Sequence, residues 1–195
     1  MSGIGIRRLR KAYGDKVVLD GLTLALAPGG RYALMAPSGG GKTTLLRLLA
    51  GLETPDGGEI AGLSGLRVAM QFQEDRLLEY AGALANVRFV LPRGTAEGEA
   101  RALLEALLPD TDLSQPVESF SGGMKRRVAL ARALAAPSEL LLLDEPFTGL
   151  DEEAKRSAAR CVVEALERHP ARILLLTTHD EAEARMCECE ILRLP

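Results

Sequence analysis

The residues best suited to chemistry gather in a few short stretches. The first is Ala36-Pro37-Ser38-Gly39-Gly40-Gly41-Lys42-Thr43-Thr44, set between an apolar run at 32–35 and Leu45, Leu46, Leu48 and Leu49 at helical spacing. Strand, glycine loop and helix in that order make a phosphate cradle. Glycines let the backbone curl until several N–H groups point at one anion. The helix that follows offers its positive dipole end to the same charge. Lys42 adds a full charge able to reach the outer phosphates, and the Thr43 hydroxyl is placed to ligate Mg2+. The usual pattern of such a loop opens on glycine. Here that position is Ala36, one added methyl at the strand end, which the loop is expected to tolerate.

Asp144-Glu145 follows Leu140-Leu141-Leu142-Leu143. Two adjacent carboxylates at the end of a buried strand are costly unless they are used. Asp144 could hold Mg2+ through water. Glu145, on the other side of the strand, could polarise a water for attack. Ser121-Gly122-Gly123 opens a long helical pattern, and a hydroxyl with glycines at a helix N-terminus is a second place for an anion. Another buried-strand pattern, 172–177, leads into Thr178-His179-Asp180. Coming after a phosphate loop and an Asp-Glu strand, His179 is a candidate to sense a terminal phosphate. Gln73 stands at the end of a strand-like stretch, 67–72, where its amide oxygen could reach Mg2+ or the attacking water. Tyr13 falls in a turn at 11–16 and could stack on a flat base.

These residues need a frame. Residues 4–9 and 17–26 read as strands around the 11–16 turn, and 59–61 and 67–72 as further short strands. From 79 to 115 alanine, leucine and glutamate dominate, with helical leucine spacing over 97–108 and Pro92, Gly94, Pro109 and Pro116 as punctuation. That segment reads as a helical subdomain inserted into an α/β core. Asp151 is placed to cap a helix running to Arg168, and 180–195 has room for one helix and a final strand. The basic cluster Lys125-Arg126-Arg127 reads as a solvated helix face rather than a nucleic-acid site.

The chain has 195 residues, enough for one substantial core. A net charge of -3 does not suggest a polyanion binder. No apolar run reaches membrane-spanning length, and the N-terminal residues lack a signal-peptide layout. Cys161, Cys187 and Cys189 make no disulfide framework, and Cys187-x-Cys189 reads as a reduced thiol pair.

Taken together, the aromatic turn, glycine loop, Gln73, helical insert, Ser-Gly-Gly, Asp-Glu, Asp151 and His179 resemble, in that order, the nucleotide-binding subunit of ATP-binding cassette (ABC) transporters. The resemblance spans essentially the whole chain. Phe120-Ser-Gly-Gly-Met124 is similar to the family signature Leu-Ser-Gly-Gly-Gln, with Phe and Met as departures. The implied fold is α/β: a P-loop NTPase core with a mixed sheet, an N-terminal antiparallel β part and an inserted helical subdomain. The implied organisation is a single ABC ATPase domain over 1–195. Its ATP-binding core would be 1–72 and 135–195, and its helical subdomain 79–134.

The resemblance also implies roles. Tyr13, Ser38, Gly39, Gly40, Gly41, Lys42, Thr43 and Thr44 would bind ATP. Thr43, Gln73 and Asp144 would serve Mg2+, with Gln73 also linking to a partner subunit. Glu145 would be the general base, and His179 would bridge Glu145 and the γ-phosphate. Two copies would pair head to tail, so that Ser121, Gly122 and Gly123 cap ATP held by the other copy and Asp151 lies at the interface. Transmembrane permease subunits and a substrate-binding protein are the further implied partners, nucleic acid is not, and the chain would sit on the inner, cytoplasmic face of the membrane.

Phe72-Gln-Glu-Asp-Arg-Leu-Leu78 with Asn86-Val87 is similar to the nitrate, sulfonate and taurine importer cassettes, which often read Phe-Gln-Glu-Pro-Arg-Leu-Leu-Pro-Trp. Asp75 replaces the first Pro, and Glu79-Tyr80 replaces Pro-Trp. These replacements fall where a permease would dock. The short chain suggests a minimal import module. Two other readings compete. A DNA-repair or translation cassette would need additions for which there is no room. A degenerate, non-hydrolysing cassette is opposed by Glu145 and His179.

Overall fold

The computed structural model describes residues 3–194; Met1, Ser2 and Pro195, the ends of the expected 1–195 domain, lie outside the described residues. The strands are β1 Ile4–Tyr13, β2 Lys16–Leu26, β3 Arg31–Met35, β4 Gly57–Ala61, β5 Val68–Gln71, β6 Leu140–Asp144, β7 Ile173–Thr177 and β8 Glu190–Arg193. The helices are α1 Lys42–Leu49, α2 Ala83–Arg88, α3 Glu97–Leu107, α4 Gly122–Ala135, α5 Glu152–Glu167 and α6 Glu181–Met186. The mixed β architecture divides into two sheets. One is antiparallel, in the order β2-β1-β4, and the other has the order β5-β6-β7-β3-β8 with every recorded pairing parallel.

Hydrophobic patterning explains the layers. All five residues of β6 and all five of β7 are buried, the continuous run expected of strands covered on both faces. Alternation then sorts their side chains. Leu140, Leu142, Ile173 and Leu175 face one cluster with Leu45, Leu46, Leu48 and Leu49 of α1. Leu141, Leu143, Leu174 and Leu176 face the other, with Val128 and Leu130 of α4 and Val162 of α5. Period two on the strands and 3.6 on the helices meet across the sheet. Helices α2 and α3 pack on α4, and α3 also reaches α5.

The expected turn at 11–16 is narrower than its sequence suggested. β1 runs on to Tyr13, which pairs with Lys16, so only Gly14 and Asp15 turn. Gly14 supplies the positive φ of 57° that such a short loop needs.

The parallel sheet positions the site. The loop 36–41 follows β3, Gln73 follows β5, Glu145 follows β6 and His179 follows β7. All leave the carboxyl ends of parallel strands, the edge where ligands gather in open α/β sheets.

Candidate functional site

The glycine loop is shaped by close approach. Gly41 has φ 86°, and a Cβ there would stand 2.7 Å from Leu19 Cδ2 and 3.0 Å from the Val18 carbonyl oxygen. Gly40 donates its N–H to the Pro37 carbonyl at 3.0 Å. Helix α1 begins at Lys42 with no side-chain cap and no acidic residue in its first turn, so its first N–H groups keep their positive end uncompensated. Lys42 is only 6% exposed. Its Nζ donates to the Ala36 carbonyl at 2.9 Å and lies 3.1 Å from His179 Nε2.

His179 Nε2 is also 3.1 Å from Glu145 Oε1. An ammonium only donates and a carboxylate only accepts. One ring nitrogen therefore serves Lys42 as an acceptor or Glu145 as a donor, but not both at once. A ligand that draws Lys42 away releases Nε2 to Glu145.

Below this pair, Thr177 organises both carboxylates. Its hydroxyl donates to Asp144 Oδ1 at 2.7 Å and accepts the Glu145 N–H at 2.9 Å. Glu145 adopts φ 49°, a conformation uncommon outside glycine, which turns it away from the strand. Asp144 is 1% exposed, and its Oδ2 has no partner among the described residues. A buried, unpaired carboxylate oxygen is a fit for a hard cation with oxygen ligands. No group of three or more His, Cys, Asp or Glu among the described residues could hold a metal ion. Hydroxyl, amide, water and phosphate oxygens would have to complete the shell.

A cleft of about 320 Å³ joins these parts. It is lined by Tyr13, Lys16, Val18, Ser38 to Thr44, Gln73, Glu145 and His179. Tyr13 is half-exposed at its mouth, with its hydroxyl bonded to Glu53 and Lys11 Nζ 5.5 Å from its ring centre. Burial, then the bond to Glu53, pushes the Tyr13 hydroxyl above its ordinary pKa. Lys16, Val18 and Thr177 join the site without a local sequence signal. Lys16 and Val18 alternate toward the loop along β2, a signal visible only once that strand is known to cross the glycines. Thr177 looked like the end of an apolar run.

Ser121, Gly122, Gly123 and Asp151 lie outside this cleft. Ser121 caps α4, its hydroxyl accepting the Met124 N–H at 3.3 Å, and Asp151 caps α5, accepting from Ala154 N at 2.8 Å. A Cβ on Gly123 would be 3.4 Å from the Gly149 carbonyl oxygen and from Leu150. The two capped turns therefore adjoin, with Ser121, Gly122 and Asp151 exposed.

The basic cluster on α4 differs from expectation. Lys125, Arg126 and Arg127 are half-buried rather than solvated. Arg126 donates to the Phe72 carbonyl at 3.2 Å and Arg127 to the Leu107 carbonyl at 2.7 Å. These guanidinium groups satisfy backbone, which single-sequence patterning does not reveal. Cys161, Cys187 and Cys189 are free thiols.

The sequence pattern of the ABC transporter family matches residues 19–148. Over 183 residues the chain is 44% identical to an aliphatic sulfonates import ATP-binding protein, SsuB 3, of Rhodococcus jostii, covering 93% of this chain and 67% of that one. It is 45% identical to SsuB 1 of Nocardia farcinica, over 93% of this chain and 73% of the relative. An Fe(3+) ions import ATP-binding protein of R. jostii is 43% identical over 89% of this chain and 54% of its own length. Among solved structures, a dimeric bacterial ABC transporter cassette aligns with a TM-score of 0.84 at 25% identity, over 98% of this chain and 94% of that one. A post-hydrolysis dimer bound to ADP and Pi aligns with a TM-score of 0.82 at 26% identity, over the same shares.

Proposed function

This chain belongs to the ABC transporter family, and on that premise we propose how its residues serve ATP hydrolysis. It is an ATP-binding and hydrolysing subunit of an import system. The observation that carries the assignment of roles is the meeting of Lys42, His179 and Glu145 within 3.1 Å steps at the mouth of the glycine loop.

The chain of events runs from binding to bond exchange. The loop N–H groups and Lys42 hold the phosphates, and Tyr13 offers its ring to the base. Lys42 exchanges its carbonyl partner for a phosphate oxygen. His179 then donates from Nε2 and fixes the Glu145 carboxylate. Glu145 accepts a proton from water as the water oxygen bonds to the γ-phosphorus, and the bond to the β-phosphate oxygen breaks to release ADP. Asp144 Oδ2, Thr43 and Gln73 are the groups that would hold Mg2+. When bound, it neutralises charge on the phosphates.

A second copy of the chain would complete the site. The Ser121–Gly123 cap, exposed at Ser121 and Gly122 with Asp151 beside it, is suited to close over ATP held by the other copy, and a solved relative is a dimeric cassette. Among the described residues no helix is long and apolar enough to cross a membrane. Passage across the membrane would fall to separate permease subunits, against which this chain would sit on the cytoplasmic face, with residues 79–134 as the docking unit. The sulfonate relatives make organosulfonates the first cargo class to test. The experiment is steady-state phosphate release with and without Mg2+. Activity that needs Mg2+ and falls about a hundredfold or more in Glu145→Gln supports the reading. Equal activity in both proteins overturns it.

A further inference from the structure

The loop after β5 presents Gln73 to the cleft and is gripped from behind by α4. Arg126 Nη1 donates to the Phe72 carbonyl at 3.2 Å and lies 3.3 Å from Asp75 Oδ1. Arg132 donates to the carbonyls of Arg76 and Asp75, each at 2.9 Å. Backbone on both sides of Gln73 is therefore fixed to one helix. That helix starts at the Ser121 cap, and Arg126 sits about 7.5 Å along its axis from that cap.

Asp75 is the acidic member of this grip. Its Oδ1 is buried and makes no well-aligned hydrogen bond, so charge alone holds it. Arg126, Lys125 and Arg132 surround it with positive charge. A carboxylate kept in such a place loses solvation without gaining a directed bond.

We propose that Asp75 is a positioning residue for ATP hydrolysis: paired with Arg126, it locks the Gln73 loop to α4 so that Gln73 and the Ser121 cap move as one body. The proposal rests on the ATPase reading given above. It implies that nucleotide sensed at Gln73 in one copy sets the angle at which the same copy offers Ser121 to its partner. Loss of the lock would slow turnover more than binding, because no cleft contact to nucleotide is removed.

The test uses the full chain with Asp75→Asn, Asp75→Ala and Asp75→Glu. Phosphate release gives kcat and KM, thermal melting gives Tm, and hydrogen exchange reports the amides of 73–78. Asp75→Asn is expected to keep or raise Tm, to lower kcat about tenfold and to leave KM within about twofold. Asp75→Glu, which keeps a carboxylate beside Arg126, is expected to retain at least half of the wild-type kcat. A merely structural residue would lower Tm and kcat together. Unchanged kcat in Asp75→Asn and Asp75→Ala, a rise in KM in place of the fall in kcat, or Asp75→Glu as slow as Asp75→Asn would each overturn the proposal. Should the wild-type chain show no turnover, the ATPase reading fails separately, and exchange decides the lock. Amides of 73–78 exchanging about tenfold faster in Asp75→Ala support it, and unchanged rates overturn it.

Discussion

Ala36 and Gly40 occupy one space between them. A Cβ built on Gly40 would lie 2.9 Å from the Ala36 methyl, 3.0 Å from the Pro37 carbonyl oxygen and 3.6 Å from Pro37 Cδ. Carbon atoms prefer about 3.5–4.0 Å, so the methyl of a Gly40→Ala variant would overlap that of Ala36 by roughly half an ångström or more. The loop must yield, and yielding moves the N–H groups that face phosphate. Overpacking of this kind costs about 1–3 kcal/mol, which is about 5- to 150-fold in ATP affinity if the loop bears it. The assay is equilibrium titration with a fluorescent ATP analogue on wild type, Gly40→Ala, Ala36→Gly and the double variant. The double variant removes the 2.9 Å contact and leaves only the tight Pro37 approach. It is expected within about fivefold of wild type, allowing for the freedom a second glycine adds. Gly40→Ala binding as tightly as wild type, or a double variant no better than the single, would refute the idea that the bare Gly40 compensates for Ala36.

Further perturbations probe the frame around the site. Gln71 is 2% exposed and neither of its amide atoms has a partner among the described residues. Gln71→Leu is therefore expected to raise stability by about 1–3 kcal/mol in urea unfolding. Thr177→Val leaves Asp144 Oδ1 and the Glu145 N–H without their shared hydroxyl. It should cost about 2 kcal/mol in the same assay and weaken the Mg2+ dependence of turnover. Arg67 holds Glu139 through its side chain and backbone N–H, and the Glu139 carboxyl falls from 4.5 to about 2. A carboxyl lowered in the folded state adds stability above its unfolded pKa and loses it as pH falls through the folded value. The stability difference between wild type and Glu139→Gln should thus be present at pH 6 and fade between pH 4.5 and 2. It should be small because solvent screens the pair.

The parts of this molecule legible in its sequence are those governed by local rules. Leu140 to Leu143 announced a strand covered on both faces, and the glycines before Lys42 announced a turn into a helix. Asp151 was readable as a cap because capping depends on neighbours three residues away. What escaped depends on distant partners. Arg126 lies 54 residues from Phe72, so nothing local distinguishes it from a solvated arginine. Lys16 and Val18 enter the cleft only because β2 passes over the glycine loop. Tyr13 falls inside the expected 11–16 turn, yet its pairing with Lys16 carries β1 four residues past the expected strand end at Leu9. The Ala36 departure looked isolated in sequence. The structure ties it to Gly40 through a contact shorter than a normal van der Waals distance.

On the proposed mechanism the cleft binds ATP and a second copy closes over it, with Glu145 ending the closed state by hydrolysis. The decisive measurement is light scattering on Glu145→Gln, with and without Mg2+ and ATP. The variant keeps Lys42 and the loop but lacks the carboxylate that takes the proton from water. A monomer that becomes a dimer only when ATP is present is the predicted result. A mass that does not change with ATP, while titration shows the nucleotide bound, would contradict closure by a second copy. A protein that binds no ATP would contradict the account at its first step.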